Sequence, residues 1–283
     1  MSDVEDEDDW EEEGWEEDEP DSPSAGAWLP AHQGGPRTSS SLALGFLAMV
    51  PMFCAYELGL EADPELARSQ SEQALFRLLV LTGDLEEGLR RGLIVVGALV
   101  AAVLCYRRRL ALVPSLMRIG VEGCFGALAL GPALALLMRF FGGLDTDLAP
   151  PQADPGLAVG ARVFGAAAFE ELLFRVAFYG GLYVLARQLL LFFGMAERGA
   201  RWLAEGLALL GSSAGFAAVH LAALTAWLGP QGEAFDPALF TWRFLAGILL
   251  ALLFRWRGPG VAAWTHGLFN LALLIGAGPE VML

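Results

Sequence analysis

The sequence contains no lysine, so all 18 of its basic residues are arginines, and Asn270 is its single asparagine. This bias, beside abundant alanine, glycine, leucine and arginine, is typical of a GC-rich and therefore bacterial genome. The three cysteines, Cys54, Cys105 and Cys124, lie within apolar runs, which favours packed thiols and excludes a disulfide framework. No basic stripe of the kind that follows a nucleic-acid backbone is present, so no nucleic acid is expected as a partner.

Basic residues are also missing from residues 1–21, which hold 14 of the 33 acidic residues. The other 262 residues carry 19 acidic and 18 basic residues and are nearly neutral. Such a like-charge block repels itself, so residues 1–40 are predicted to be a disordered acidic tail and linker. The tail lacks the basic n-region of a signal peptide. We favour the interpretation of this tail as a solvated extension. The presence of Trp10 and Trp15 leaves open the alternative that the tail docks to a basic partner.

Hydrophobic residues form 55% of the chain, and they come in long runs with a mean hydropathy of +0.49. A helix needs about 20 apolar residues to cross the hydrocarbon core, where its backbone must satisfy its own hydrogen bonds. We predict an all-α, polytopic membrane helical bundle in the lipid bilayer. Its seven transmembrane helices lie at roughly residues 41–60, 88–106, 112–139, 158–186, 203–228, 238–256 and 259–278. Residues 74–82 are too short to span and predict an interfacial or re-entrant piece, or an eighth span.

Arginines are distributed unevenly among the connections between these spans. The connections after the second, fourth and sixth spans are rich in arginine, whereas residues 140–157 and 229–237 contain none. Because basic loops stay in the cytoplasm, the acidic tail is expected there and the C-terminus outside. The predicted location is a bacterial inner membrane. Arg90 and Arg91 depart from this pattern.

Polar side chains inside the predicted spans suggest a functional site, because inserting each charged group costs about 2.5–3.5 kcal/mol. They are Glu170, Glu171 and Arg175 in the fourth span, His220 in the fifth, and His266 and Asn270 in the seventh. At 1.5 Å per residue, four of these side chains lie about 12–18 Å from the outer ends of their spans: Glu170, His220, His266 and Asn270. We therefore expect three helices to bring them into one water-containing cavity.

The spacing of these groups suits hydrolysis of a carbonyl. Glu171 and Arg175 are four residues apart and can pair, whereas Glu170 is rotated by about 100° and can face the cavity. A glutamate in such a site can act as general base toward water, with a histidine orienting that water. A second histidine and an asparagine can donate to the oxyanion. Taken alone, Glu171 and Arg175 fit a buried ion pair between helices equally well.

Three motifs follow one another on the late spans: EELLFR (170–175), FAAVH (216–220) and HGLFN (266–270). Together they resemble the EExxxR, FxxxH and HxxxN motifs of the CPBP (Abi) family of intramembrane glutamic endopeptidases, which includes the type II CAAX prenyl proteases. The resemblance covers about residues 158–278. It implies a catalytic transmembrane core, assigned to 151–283, after N-terminal transmembrane helices in 41–150.

The resemblance also implies a role for each site residue. Glu170 and His220 would activate water, His266 and Asn270 would form the oxyanion site, and Glu171 and Arg175 would support the first glutamate. No cofactor is implied. The substrate would be a membrane-associated protein or peptide: a CAAX-like protein, a leader peptide, or a C-terminal sorting signal as in the myxosortase branch.

Two other functions stay open at this point. A zinc-dependent protease would use Glu170, His220 and His266 as ligands, although no HExxH motif is present. A non-catalytic immunity or transport protein would use the same polar groups for binding, although the internal repeats typical of transporters are not seen. Nothing in the sequence predicts an oligomeric state.

Overall fold

The computed structural model describes residues 42–66, 68–78, 86–140, 156–225 and 232–276. The chain forms α1 (Leu42–Ala62), α2 (Gln70–Leu78), α3 (Glu86–Arg107), α4 (Leu112–Phe140), α5 (Gly156–Glu171), a π-helical segment (Leu172–Tyr179), α6 (Gly180–Phe192), α7 (Glu197–Ala218), α8 (Ala222–Thr225), α9 (Pro237–Arg257) and α10 (Pro259–Leu274). These ranges contain no β-strand, so the prediction of an all-α helical bundle is confirmed. The predicted acidic tail, residues 1–40, lies outside the described residues.

Four of these helices are long and apolar enough to cross a membrane: α1, Gly88–Arg107 of α3, α4 and α9. The fourth predicted span is a helix interrupted by the π-helical segment, and α10 has only 16 residues. The number of spans therefore stays a prediction. The fifth predicted span, 203–228, corresponds to α7, but α7 begins at Glu197 and already ends at Ala218.

Glycines permit the closest contacts between the helices that carry the site. A Cβ atom at Gly165 of α5 would collide with the Met52 carbonyl and with Tyr56 on α1. At Gly59 it would lie 2.7 Å from the Ala158 carbonyl oxygen of α5. The two helices therefore pack backbone to backbone just before the EELLFR motif begins, as small residues allow in membranes.

A buried ion network joins the first three helices. The carboxylate of Glu72, on α2, accepts hydrogen bonds from Tyr56 of α1 and from Arg90 of α3. Arg90 also lies 3.2 Å from Glu57, which accepts a 2.9 Å hydrogen bond from Arg91. Arg90 and Arg91 therefore depart from the arginine pattern of the loops because α1 and α2 supply carboxylates that neutralise them.

Candidate active site

The EELLFR motif straddles a change in helix geometry. Glu170 and Glu171 end α5, and Arg175 lies in the π-helical segment that follows directly. A π-helical turn is wider than an α-helical one and is frequent at functional sites. Leu172–Tyr179 contains no proline or glycine, so nothing in its composition indicates this turn.

Glu171 and Arg175 form the predicted ion pair, with both side chains fully buried. The Arg175 Nε lies 3.3 Å from Glu171 Oε2. The other oxygen of the same carboxylate, Oε1, is 3.0 Å from Nδ1 of His266 on α10. Glu171 thus joins the π-helical segment to α10, a contact that the sequence did not predict.

His266 lies between the two glutamates. Its Nδ1 bonds to Glu171, and its Nε2 is 3.4 Å from Glu170 Oε2. Because the carboxylate of Glu171 is paired with Arg175, it acts as the acceptor of the hydrogen bond with His266. Nδ1 of His266 therefore carries the hydrogen. A neutral His266 then presents a lone pair at Nε2 to Glu170, so a single proton can be held between these two side chains.

The ring of Phe216 packs against both histidines. Its centroid is 5.6 Å from that of His220 and 5.5 Å from that of His266, in edge-to-face arrangements. The Arg175 guanidinium lies 5.1 Å from the same centroid, within the range of a cation–π contact. Phe216 therefore packs against His220, four residues further along the chain, and the same ring also contacts His266 and Arg175.

His220 lies beyond the end of α7, in a turn, rather than in the middle of a span as the sequence predicted. Its Nδ1 is 2.9 Å from the Phe216 carbonyl oxygen, and its own carbonyl accepts a 2.9 Å bond from the Glu233 amide. Since a carbonyl can only accept, Nδ1 of His220 carries the hydrogen. In the neutral ring Nε2 is then left as an acceptor.

Glu170, His220 and Asn270 line one cavity of about 320 Å³. The remaining lining residues are Ser69, Gln70, Ser71, Arg162, Val163, Ala166, Gly232 and Glu233. The structure thus brings together three of the predicted site residues around this space. Glu171 and Arg175 are fully buried and His266 nearly so, and none of the three is among the lining residues.

Several lining residues were not predicted from the sequence, and Glu233 is one of them. Its carboxylate accepts hydrogen bonds of 2.7 and 2.9 Å from the Arg243 guanidinium. These hydrogen bonds lower the pKa of Glu233 below its usual value, although partial burial acts in the opposite direction. The cavity therefore carries a second carboxylate that is ionised at neutral pH. Glu233 lies in a connection, and Ser69–Ser71 lie at the start of α2, and nothing in the sequence indicates that either segment folds onto the cavity.

The side chains were also compared with the requirements of a metal site. Within the described ranges, no group of three or more His, Cys, Asp or Glu side chains is arranged to hold a metal ion. Glu170 and His266 approach each other, and His220 donates through Nδ1 to a carbonyl oxygen, which leaves its Nε2 as a free acceptor. The zinc alternative therefore stays open.

Comparison with protein families identifies the part of the chain that holds the site. The model described as "Type II CAAX prenyl endopeptidase Rce1-like" matches residues 153–272. All six predicted site residues lie within this range, whereas α1 to α4 lie outside it. No curated protein and no solved structure matches the chain.

Proposed function

We propose that the chain hydrolyses a peptide bond of a membrane-associated protein or peptide. The premise is that residues 153–272 belong to the Rce1-like family of type II CAAX prenyl endopeptidases. The family is one of peptidases, and the four apolar helices make this chain an integral membrane protein. The observation that carries the proposal is the placement of Glu170. Its carboxylate lines a polar cavity together with His220 and Asn270 and has His266 beside it.

Glu170 is proposed as the general base. Its carboxylate can take a proton from a water molecule in the cavity as that water attacks the carbonyl carbon of the substrate. The neighbouring Nε2 of His266, 3.4 Å away, can share this proton. Glu170 then returns it to the leaving amine, so the catalytic groups end in the state in which they began.

His220 and Asn270 are proposed to act from the cavity walls. The free Nε2 of a neutral His220 is an acceptor that can orient the attacking water. The Asn270 amide can donate to the oxyanion that develops on the substrate, an interaction that strengthens as charge builds up. His266 can add a second donor only as an imidazolium, because its Nδ1 hydrogen is engaged by Glu171.

Glu171 and Arg175 are proposed as positioning residues. Their ion pair is buried, and the carboxylate fixes the tautomer and the ring orientation of His266. Arg175 also lies over the Phe216 ring that supports both histidines. Neither side chain reaches the cavity, so their effect on the reaction passes through His266.

The test is a comparison of cells that produce the wild-type chain with cells that produce Glu170→Gln. Removing the base should reduce cleavage at least about a hundredfold, since general-base catalysis contributes roughly 10²–10⁴. Mass spectrometry of the termini of membrane and exported proteins should show uncleaved substrates only in the variant cells. Those termini would also identify the substrate as a CAAX-like protein, a leader peptide or a sorting signal.

Glu197→Gln is the matched control, because Glu197 is an exposed glutamate at the start of α7. It should leave the terminal peptides as in wild-type cells. If the termini are identical in wild-type and Glu170→Gln cells, the protease proposal is wrong and a binding protein is favoured. Loss of wild-type cleavage on chelation, restored by zinc, would favour the metal alternative.

A further inference from the structure

Helix α7 ends at a point where its sequence favours continuation. The helix stops at Ala218, and His220 lies in the turn that follows. Residues 219–225 contain neither glycine nor proline, the residues that usually end a helix. A contact with another part of the chain is therefore needed to explain why His220 lies in a turn.

The His220 ring takes part in ending the helix. The last backbone hydrogen bond of α7 joins the Val219 amide to the Gly215 carbonyl oxygen. In a continued α-helix the His220 amide would donate to the next carbonyl, that of Phe216. The Phe216 carbonyl oxygen instead lies 2.9 Å from Nδ1 of the His220 ring. The hydrogen on Nδ1 therefore has its acceptor only as long as α7 ends here.

Residue 233 holds this turn from the connection that leads to α9. The Glu233 amide donates to the His220 carbonyl oxygen at 2.9 Å, and the Glu233 carbonyl oxygen accepts from the Ala222 amide at 2.9 Å. The two bonds form an isolated parallel bridge between Leu221 and Glu233. A continued α7 would use the same His220 carbonyl and Ala222 amide for its own hydrogen bonds. The bridge and a longer helix therefore exclude each other.

The side chain of Glu233 is anchored on α9. Its two carboxylate oxygens accept hydrogen bonds of 2.7 and 2.9 Å from the two terminal nitrogens of Arg243. Such a two-bond arrangement fixes direction as well as distance. Asp236, three residues after Glu233, caps α9 by accepting a 2.8 Å bond from the Leu239 amide. The position of Glu233 is thus set by α9 rather than by α7.

We propose that Glu233 and Arg243 are positioning residues, which hold the turn after α7 and thereby keep the hydrogen of His220 on Nδ1 and the acceptor on Nε2. Without the bridge, residues 219–225 can extend α7, the His220 amide takes the Phe216 carbonyl, and Nδ1 loses its acceptor. Arg243 is not among the described residues that line the cavity, so its effect passes through Glu233. The relevance of this device to cleavage rests on the proposed function, whereas the tautomer does not.

The tautomer of His220 can be observed directly, because the chain has only three histidines: His32, His220 and His266. The full chain is purified in detergent with 15N-labelled histidine, and long-range 1H–15N NMR spectra show which ring nitrogen carries the hydrogen. His32→Gln and His220→Gln identify the signals. Spectra at about pH 8.5, about two units above the usual histidine pKa, with a chelator present, ensure that neither ring protonation nor a bound metal sets the tautomer.

In the wild type, Nδ1 of His220 should carry the hydrogen. In Arg243→Gln the ratio of the Nε2–H to the Nδ1–H tautomer should rise about two- to fivefold, the factor that corresponds to loss of an exposed ion pair. Hydrogen exchange of the Ala222 amide should accelerate by the same factor, because one opening of the bridge controls both. Glu233→Pro removes the amide donor itself and should make the Nε2–H tautomer the major form. Arg243→Lys should restore most of the wild-type ratio.

Arg187→Gln is the matched control, because it breaks an exposed ion pair with Glu197 at the other end of α7. It should change neither the tautomer of His220 nor the exchange of Ala222. His266 is the internal control: its Nδ1 hydrogen is held by Glu171, so its signals should be the same in all variants. Unfolding temperatures show whether each variant has folded. Glu233→Gln, which breaks the same ion pair from the other side, replaces any that has not.

The proposal is overturned if the wild type carries the hydrogen on Nε2 of His220, or if Arg243→Gln and Glu233→Pro both keep the wild-type tautomer. It is also overturned if only one of the tautomer and the Ala222 exchange responds, since the bridge and the ring would then not be coupled. The proposed function fails separately, when Glu170→Gln leaves all termini as in wild-type cells. A tautomer that does not respond, beside loss of cleavage in Glu170→Gln, refutes the positioning role alone.

Discussion

The buried ion pair between Glu171 and Arg175 illustrates how single residues support the site. Two charges taken out of water are costly, and an apolar pair of similar size often stabilises a protein equally well. Here the carboxylate also accepts the Nδ1 hydrogen of His266, which an apolar side chain cannot do. We therefore attribute the pair to orientation of His266 rather than to stability.

A double-mutant cycle on Glu171→Gln and Arg175→Met tests this interaction. Each single substitution leaves the other group buried without its partner, so each should lower the free energy of unfolding by about 3–5 kcal/mol. The double variant should lose clearly less than the sum of the two. The measurement is equilibrium unfolding in detergent. The exposed pair Arg187–Glu197 is the control, and its coupling energy is expected to be at most about 1 kcal/mol. Additive losses at 171 and 175 would contradict direct coupling.

At this scale the sequence predicts contacts within a helix better than contacts between helices. The pairing of Glu171 with Arg175 and the packing of Phe216 on His220 follow from a spacing of four residues. The contact of His266 with both glutamates depends on how α10 is rotated against α5. That rotation is set by packing over the whole interface, so no local spacing indicates it.

Among the helices and turns, two features of the site could not be predicted. The π-helical segment has the same apolar composition as an ordinary membrane helix, so its composition does not indicate the wider turn. The early end of α7 places His220 in a turn, although residues 219–228 are as apolar as the helix before them. Apolar composition locates a span but not the point at which its helix stops.

The packing of α5 on α1 gives a prediction for this scale. Gly165→Ala places a methyl group against the backbone of Met52 and the side chain of Tyr56, so α5 must move away from α1. Such overpacking should lower the free energy of unfolding by about 1–3 kcal/mol. It should also reduce cleavage, because Glu170 lies five residues further along the same helix. Thermal unfolding in detergent and a cleavage assay measure the two effects.

Gly181→Ala is the control for this substitution. Gly181 lies in α6, and no atom lies within 4 Å of a Cβ built there. Alanine is the better helix former by about 0.8–1.0 kcal/mol, so this variant should be as stable as the wild type or more stable. Equal destabilisation at both positions would show that the loss at Gly165 does not come from the contact with α1.

Over the described helices, two groups of charges lie at opposite ends of α3. Arg107 is the last residue of α3, Arg108 and Arg109 follow it, and Arg198 and Arg201 lie in the first part of α7. The ion network of Glu57, Glu72, Arg90 and Arg91 lies at the other end of α3. Since the arginines of that network are paired with carboxylates, they do not oppose the orientation that the loop arginines predict.

Labelling of single cysteines tests that orientation. In a chain whose three native cysteines are replaced by alanine, Arg108→Cys should react with a membrane-impermeant maleimide only in inside-out vesicles. Glu65→Cys, in the exposed connection between α1 and α2, should react only in right-side-out vesicles. The reason is that the arginine-rich connection after α3 stays in the cytoplasm, so the connection before α3 lies on the opposite side. Labelling after detergent addition is the control for reactivity. Reaction of both cysteines from the same side would mean that α3 is not the single span between them, and the reversed pattern would contradict the predicted orientation.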